Sequence, residues 1–416
     1  MSQTSASTKF AFAMITSLFF MWGFVHNLDP ILIPHLKKSF SLTTLQSSLI
    51  DSAVFIAYFV MALPAGFIMK KYGYKAGIIT GLSLFAIGSF LFIPAANTQQ
   101  YLFFLMALFI IACGLTILET AANPYASLLG DPATSTQRLN FAQSFNGLAA
   151  TLAPIIGARM ILVEGNSDEA LAAMSESARK LALASEAASV KTPYMVLGLV
   201  ILVITLVFAF LKLPEIKEAE NETGGKSILH TLRHSHLRWA VIAQFFYVGA
   251  QVCVFSFFIL FAIKSAGLTK MQAADYLGWG CGMAFMIGRF AGTFFMRFIA
   301  PNKLLAFYAA MCVLLSFAAI AMTGMATVYA VIGISFFMSI MFPTIFDLGI
   351  KQLESDTEMG SSLIIMSIVG GALLPPILGY ISDVTGNIQI GYSVPLVCFA
   401  VIFYFGWKGY KVKGIS

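Results

Sequence analysis

Twelve apolar runs, most of about twenty residues or longer, leave this chain one kind of fold. They span roughly 10–36, 44–69, 76–95, 101–129, 139–162, 192–211, 239–263, 272–296, 303–323, 327–350, 360–381 and 391–408. Such runs match the thickness of a bilayer core. In lipid each backbone N–H and C=O must be satisfied within the segment, so each run is expected to be a helix. Only 11% of the 416 residues are charged and 59% are hydrophobic. A soluble domain carries about 25% charged residues, so composition excludes one. The runs are called spans 1 to 12 below.

The basic residues point to orientation rather than to nucleic acid, despite a net charge of +6. Lys70, Lys71, Lys75, Arg138, Arg297, Lys303, Lys351 and Lys408 fall in loops on one side of a twelve-span topology. The opposite side holds roughly half as many, so both termini are expected to be cytoplasmic. The opening MSQTSASTKF has no basic n-region and no small-residue cleavage site, and no cleaved signal peptide is expected. Cys113, Cys253, Cys281, Cys312 and Cys398 all lie in apolar spans without metal-ligand spacing, and read as small buried residues.

Two polar insertions divide the chain. Residues 212–238 are charged, hold Gly224-Gly225, and read as a cytoplasmic linker between six-span halves at 1–211 and 239–416. His230, His234 and His236 lie in it, where a solvated interfacial linker is preferred to a metal site. Residues 164–191 form a second polar loop. Leu171, Met174, Ala178 and Leu181 recur there at helical spacing, which predicts a short surface helix. The halves echo each other. Ala65-Gly66-Phe67 near the end of span 2 matches Ala291-Gly292-Thr293 near the end of span 8, and Pro124 in span 4 matches Pro343 in span 10. Transporters built from repeats place their substrate between the halves, near the bilayer midplane.

Polar side chains inside the spans mark such a site. Glu119 follows eighteen residues without a charge, YLFFLMALFIIACGLTIL. A carboxylate near the bilayer centre costs about 2.5–3.5 kcal/mol on insertion scales, and such residues mark ion or substrate pathways. Asn123 is four residues on and shares its face. Asn140, Gln143 and Asn146 form a stripe on span 5, and Gln244, Tyr247 and Gln251 another on span 7. Span 1 carries Trp22, His26, Asn27 and Asp29. One stripe would be interhelical bonding; four argue for a polar cavity. Amides pair with hydroxyls both as donors and as acceptors, which suits a neutral polyol, and Trp22, Tyr247 and Phe342 can cover an apolar sugar face. The cavity spans lack the Arg or Lys cluster that an anion needs. Arg289 lies toward the cytoplasmic end, where a helix-end or gate salt bridge is expected. Asp51, Asp275, Asp383 and Asp347 read first as structural or gating acids. No nucleophile–base pair or metal motif appears, so an enzyme is not expected.

Seven segments carry a resemblance: FFMWGFVHNL (19–28), PAGFIMKKYGYKAGIITGL (64–82), LETAANPY (118–125), RLNFAQSFN (138–146), WAVIAQFFYVGAQ (239–251), IGRFAGT (287–293) and FPTIFDLGIKQL (342–353). The chain resembles the fucose/galactose/glucose–proton symporter family of the major facilitator superfamily over nearly its whole length. The resemblance implies an all-α membrane protein of twelve helices in two pseudo-symmetric halves. It implies uptake of a hexose or 6-deoxyhexose, such as L-fucose, across the bacterial inner membrane. A proton would be the coupling ion, with no other cofactor, and a functional monomer would work in the bilayer. Glu119 matches the family's cavity glutamate, Gln143 its sugar-contacting glutamine, and Trp22 and Asn27 cavity positions. Where the family has Asn-Asn-Leu-Asn-Asp, this chain has His26-Asn27-Leu28-Asp29-Pro30, and a family tyrosine appears as Phe342. Asp29 is expected to replace the family aspartate, with His26 as a relay. The sugar stays open between L-fucose, glucose or galactose, and N-acetylglucosamine. An uncoupled facilitator, an exporter and a non-transporting receptor are the other readings.

Overall fold

The structure is a computed structural model that describes residues 2–27, 40, 44–98, 100–161, 173–188, 190–211, 213 and 228–412. Helix occupies all twelve runs. Span 1 is Ser2–His26 and span 4 Tyr101–Leu128. Spans 2 and 3 follow one another within Thr44–Thr98, bent at Gly73, whose φ of 81° and ψ of 169° suit only glycine. Spans 5, 6 and 7 are Ser135–Ile161, Lys191–Phe210 and Ser235–Ala266. Span 8 starts at Lys270–Asp275, passes through a π segment at Tyr276–Gly282 and continues as Met283–Phe295. Span 9 is Pro301–Ala321 and span 10 is split into Met325–Met338 and Met341–Ile350. Span 11 comprises Thr357–Met366 and Gly370–Thr385 around a 3₁₀ turn, and span 12 is Ser393–Tyr404 with a π turn after it.

Nine described helices are long and apolar enough to cross a membrane, with spans 2 and 3 counted as one. The other two runs fall short for reasons legible in their residues. Span 5 carries the amide stripe, and the π segment divides span 8 into short pieces. No strand occurs among the described residues. Span 6 turns Leu199, Val203, Leu206 and Phe210 outward, Phe210 being 86% exposed. In water such a face would be a liability; against lipid tails it is the contact surface.

The predicted surface helix is present at Glu176–Ala188, but Leu181 is 73% exposed, so the apolar spacing there buries nothing comparable to a core face. Leu171 lies outside the described residues, as does the linker through 214–227. The histidines at its far end are not a solvated tail. His230 Nδ1 and His234 Nε2 lie 3.2 and 3.4 Å from Asp356 Oδ2. Buried His236 sets Nε2 2.9 Å from the Lys351 carbonyl oxygen.

Contacts between the two halves have a pattern. Span 5 packs on spans 8 and 10, span 4 on spans 10 and 11, and span 2 on span 11. A methyl group on Gly66 of span 2 would strike the Ser362 hydroxyl of span 11. Exchanging each span for its counterpart six later maps this set onto itself: 5 with 8 becomes 11 with 2, and 5 with 10 becomes 11 with 4. The seam is therefore self-complementary, as a two-fold interface is.

Within the first half, spans 3 and 4 meet through glycine. A Cβ on Gly114 would lie 2.6 Å from the Gly81 carbonyl oxygen and 2.7 Å from the Phe85 nitrogen. Both obstacles are backbone, so no rotamer change relieves them; membrane helices approach closely through such residues. Gly114→Val is expected to destabilise the protein by about 1–3 kcal/mol or more. Gly278→Ala, whose Cβ meets no atom within 4 Å, should leave the melting temperature unchanged. Thermal unfolding in detergent compares the two; equal melting would mean that spans 3 and 4 do not pack this closely.

Candidate functional site

Span 4 places Glu119 and Asn123 one helical turn apart, and both are buried. Tyr58 of span 2 donates its hydroxyl to Glu119 Oε1 at 2.5 Å. Asn123 Nδ2 donates to the Glu119 main-chain carbonyl at 2.8 Å, which leaves its Oδ1 free to accept from Gln143 Nε2 at 3.0 Å. A carboxyl from span 4 is thus followed by two amides in series, the second on span 5. These three predicted residues come together. Nothing in the sequence singles out Tyr58, because one tyrosine in DSAVFIAYFVMALP (51–64) carries no signal of its own.

Two prolines organise what surrounds them. Proline has no N–H, so the carbonyl four residues earlier loses its helical donor. For Pro124 that carbonyl belongs to Thr120, and Ser361 Oγ of span 11 donates to it at 2.8 Å from the other half. For Pro343 it belongs to Ser339, where span 10 breaks, and Arg289 Nε donates to it at 2.8 Å. The same guanidinium crosses the seam: Arg289 Nη1 donates to the Gln143 main-chain carbonyl at 2.8 Å. Arg289 is 4% exposed, lies 4.5 Å from the Phe285 ring centre and sits beside the Tyr247 hydroxyl. The salt bridge expected from the sequence is not what holds it. Among the described residues its partners are carbonyls, no carboxylate pairs with it, and it lies at the core of the seam.

Further bonds cross the seam toward the basic end. Ser135 and Thr136 donate to Asp347 Oδ2 at 2.9 and 2.5 Å. Asn140 Nδ2 donates to Thr344 Oγ1 at 3.1 Å, and Gln137 Nε2 to the Thr293 carbonyl at 3.3 Å. All lie on the side of Glu119 that leads to Lys70, Arg138, Arg297 and Lys351. The halves are closed on one another there.

The remaining predicted residues are placed as follows. Trp22 is buried with its ring 4.2 Å from that of Phe19. Asn146 is half-buried and lies against Gly23, next to Trp22, so spans 1 and 5 bring these positions together. Asn27 Nδ2 donates to the Gly23 carbonyl at 2.7 Å. Tyr247 is buried and meets Phe342 edge-on at 6.2 Å. Gln251 is half-buried, on the face of Tyr247. Gln244 is fully buried with no hydrogen-bond partner for either end among the described residues, and Asn140 Oδ1 has none either. The His26 side chain, Asp29 and the Asp51 side chain lie outside what the structure describes.

The proline account has a direct test. Ser361→Ala leaves the Thr120 carbonyl buried without its donor, a cost of about 1–3 kcal/mol. Pro124→Ala restores the helical N–H, so the double variant Pro124→Ala/Ser361→Ala should recover most of the lost thermal stability. A double variant that melts no higher than Ser361→Ala would show that Ser361 does not serve the carbonyl freed by Pro124.

Comparison with known proteins agrees with the geometry. Residues 10–360 match the family model of the Major Facilitator Superfamily. The L-fucose-proton symporter of Escherichia coli K12 is 44% identical over 414 residues, covering 96% of this chain and 93% of that protein. A glucose/galactose transporter of Brucella abortus is 42% identical, covering 99% and 97%. The crystal structure of the transporter FucP in the outward conformation superposes with a TM-score of 0.90 at 43% identity, over 97% of this chain and 99% of that one. The proton:xylose symporter XylE, at 11% identity and a TM-score of 0.73, shares the fold. With its helical halves, self-complementary seam and membrane-buried carboxyl, the chain belongs to the Major Facilitator Superfamily.

Proposed function

We propose that this protein takes up a neutral monosaccharide together with a proton by alternating access. The observation that carries this reading is the series of groups from Glu119 through Asn123 to Gln143. A buried carboxyl is less costly neutral than charged, because desolvation penalises the charged form. Protonated, Glu119 gains a donor and the site becomes neutral. The amides of Asn123 and Gln143 then exchange bonds with sugar hydroxyls, which offer donors and acceptors in turn. Asn146, Asn27 and Asn140 add polar groups from the first half, and Gln244 and Gln251 from the second. Trp22, Tyr247 and Phe342 supply the apolar walls. The relatives' names support a sugar as the substrate, L-fucose, glucose and galactose among them.

The halves at 1–211 and 239–416 would rock about the seam, joined by the linker 212–238. With both termini in the cytoplasm, the closed basic end faces inward and the cavity faces outward, in line with the outward conformation named for the similar FucP structure. One copy holds the whole residue set, which supports a functional monomer in the inner membrane. Asp29 supplies a second carboxyl, with His26 three residues before it in the sequence. Protons load from the acidic outside and leave to the more alkaline interior.

In proteoliposomes, Glu119→Gln should abolish proton-driven accumulation of labelled sugar while sugar-for-sugar exchange continues. Normal accumulation would remove Glu119 from the proton path. Uptake challenged by L-fucose, D-galactose, D-glucose and N-acetylglucosamine identifies the substrate, and failure of every sugar to compete would defeat the sugar reading itself. Asp29→Asn should abolish sugar-evoked proton uptake. Unchanged coupling in this variant would leave Glu119 to carry the proton without it.

A further inference from the structure

The seam has a lateral groove that shares no aromatic or charged residue with the proposed sugar site. It lies between spans 1, 5 and 8 at the basic end and holds about 880 Å³, including the part open to the surroundings. Phe12, Phe141, Phe290 and Phe294 form its apolar wall, and Arg138 and Arg297 stand at its rim. Phe141, Phe290 and Phe294 are each more than 40% exposed, so this wall faces outward rather than into the core.

The charges and the rings are layered. Phe290 precedes Arg297 by seven residues, which is about 10 Å along a helix axis. Arg297 therefore stands toward the loop, at headgroup depth, and the aromatic wall runs inward, at acyl depth. Arg138 approaches from span 5 and Arg297 from span 8, so the two halves bring one cation each. The groove lining carries no carboxylate, and among the described residues no ion pair reaches either arginine. Arg138 gives its donors to neutral oxygens instead: Nη1 to the Asp131 carbonyl and to Thr134 Oγ1, and Nη2 to the Ser127 carbonyl, each at 2.6 Å. Those bonds fix the guanidinium in place, and the carboxylates of Asp131 and Asp347 act on it at longer range, so that exposed Arg297 is the less compensated cation of the two. Arg297 lies 5.8 Å from the Phe294 ring centre and is exposed.

We propose that this groove binds an anionic phospholipid, with its phosphate between Arg138 and Arg297 and an acyl chain along the four phenylalanines. Basic pockets between helices at the cytoplasmic face recognise such headgroups. Polar rim and apolar wall together fit a lipid better than a free anion, which has no use for the aromatic surface. The consequence is conformational. The groove is assembled from spans 5 and 8, which meet here, with the basic end closed, through Gln137 and Thr293 among others. A lipid held by both halves binds this state and not the open one, and a ligand shifts an equilibrium by its difference in affinity for the two states.

The test uses the purified full chain in detergent, titrated with phosphatidylglycerol or phosphatidylcholine of the same acyl chains, with bound lipid counted by native mass spectrometry. This readout needs no sugar and stands apart from the transport reading. The protein should retain phosphatidylglycerol in preference to phosphatidylcholine. Arg297→Gln should weaken that binding roughly fivefold, Arg297→Lys should keep most of it, and Lys303→Gln, an exposed cation away from the groove, should change nothing. Phe290→Ala keeps both charges, removes part of the wall and should also weaken it. Equal retention of the two lipids, equal loss in the Arg297 and Lys303 variants, or displacement by millimolar inorganic phosphate would overturn the proposal.

Discussion

A carbonyl inside a bilayer must find a donor, and two prolines each remove one. Pro124 and Pro343 stand at corresponding places in the two halves, and each frees the carbonyl four residues before it. The protein answers both from neighbouring helices, with Ser361 on span 11 of the opposite half and Arg289 on span 8 of the same half as Pro343. The repair of local backbone chemistry is thus also tertiary structure. Ser361 reaches across from the opposite half, and Arg289 uses its second nitrogen to take the carbonyl of Gln143. The fork of the guanidinium makes this possible, since its donors point in fixed and different directions. A lysine presents one compact charge on a flexible stem and cannot hold two separate carbonyls in the same way.

The same arrangement ties the seam to the polar site. Pro124 lies one residue after Asn123, and the carbonyl that Arg289 holds belongs to Gln143. The amide series from Glu119 therefore has a seam contact at each end. A change in what Gln143 bonds is a change beside an inter-half hydrogen bond, with no long relay between them. This is the physical content of coupling in the proposed mechanism: site and seam share residues.

The sequence made the helices legible because lipid leaves apolar runs no alternative. It made Glu119, Asn123 and Gln143 legible because each is polar where polarity is costly, and i, i+4 spacing puts the first two on one face. Ser361 and Tyr58 were not legible. Ser361 sits in MGSSLIIM, where Ser362 is an equal candidate, and only the position of Thr120 across the seam distinguishes them. Arg289 stands out in the sequence as a charge inside a span, and a carboxylate partner is the expectation there, because a lone buried cation with only carbonyl partners is the rarer solution. The linker histidines have charged neighbours in the sequence, which predicts a solvated setting. Their partners, Asp356 and the Lys351 carbonyl, come from the loop between spans 10 and 11, which sequence spacing does not bring near. Helical spacing of apolar residues predicts a surface helix in the second polar loop, and Leu181 stands exposed on the helix found there.

The strength of the seam bears on whether such a protein can move. Interhelical polar contacts in membranes average about 0.6 kcal/mol each and reach about 1.7. The contacts of Ser361, Asn140, Gln137, Ser135, Thr136 and Arg289 across the seam then hold the basic end closed by a few kcal/mol in all. That is the scale on which two conformations of one protein coexist, with the minor one populated at the level of per cent or less. A seam of packed apolar side chains alone would gain little from hydrophobic burial, since lipid tails replace the lost contacts. A seam of several buried ion pairs would leave uncompensated charges on opening, at several kcal/mol each. Hydroxyls and amides on carbonyls, one carboxylate held by hydroxyls, and one cation held by carbonyls lie between those limits. In the proposed mechanism, neutralising one carboxyl and seating one sugar would have to supply energies of that order for the site to decide which end is closed.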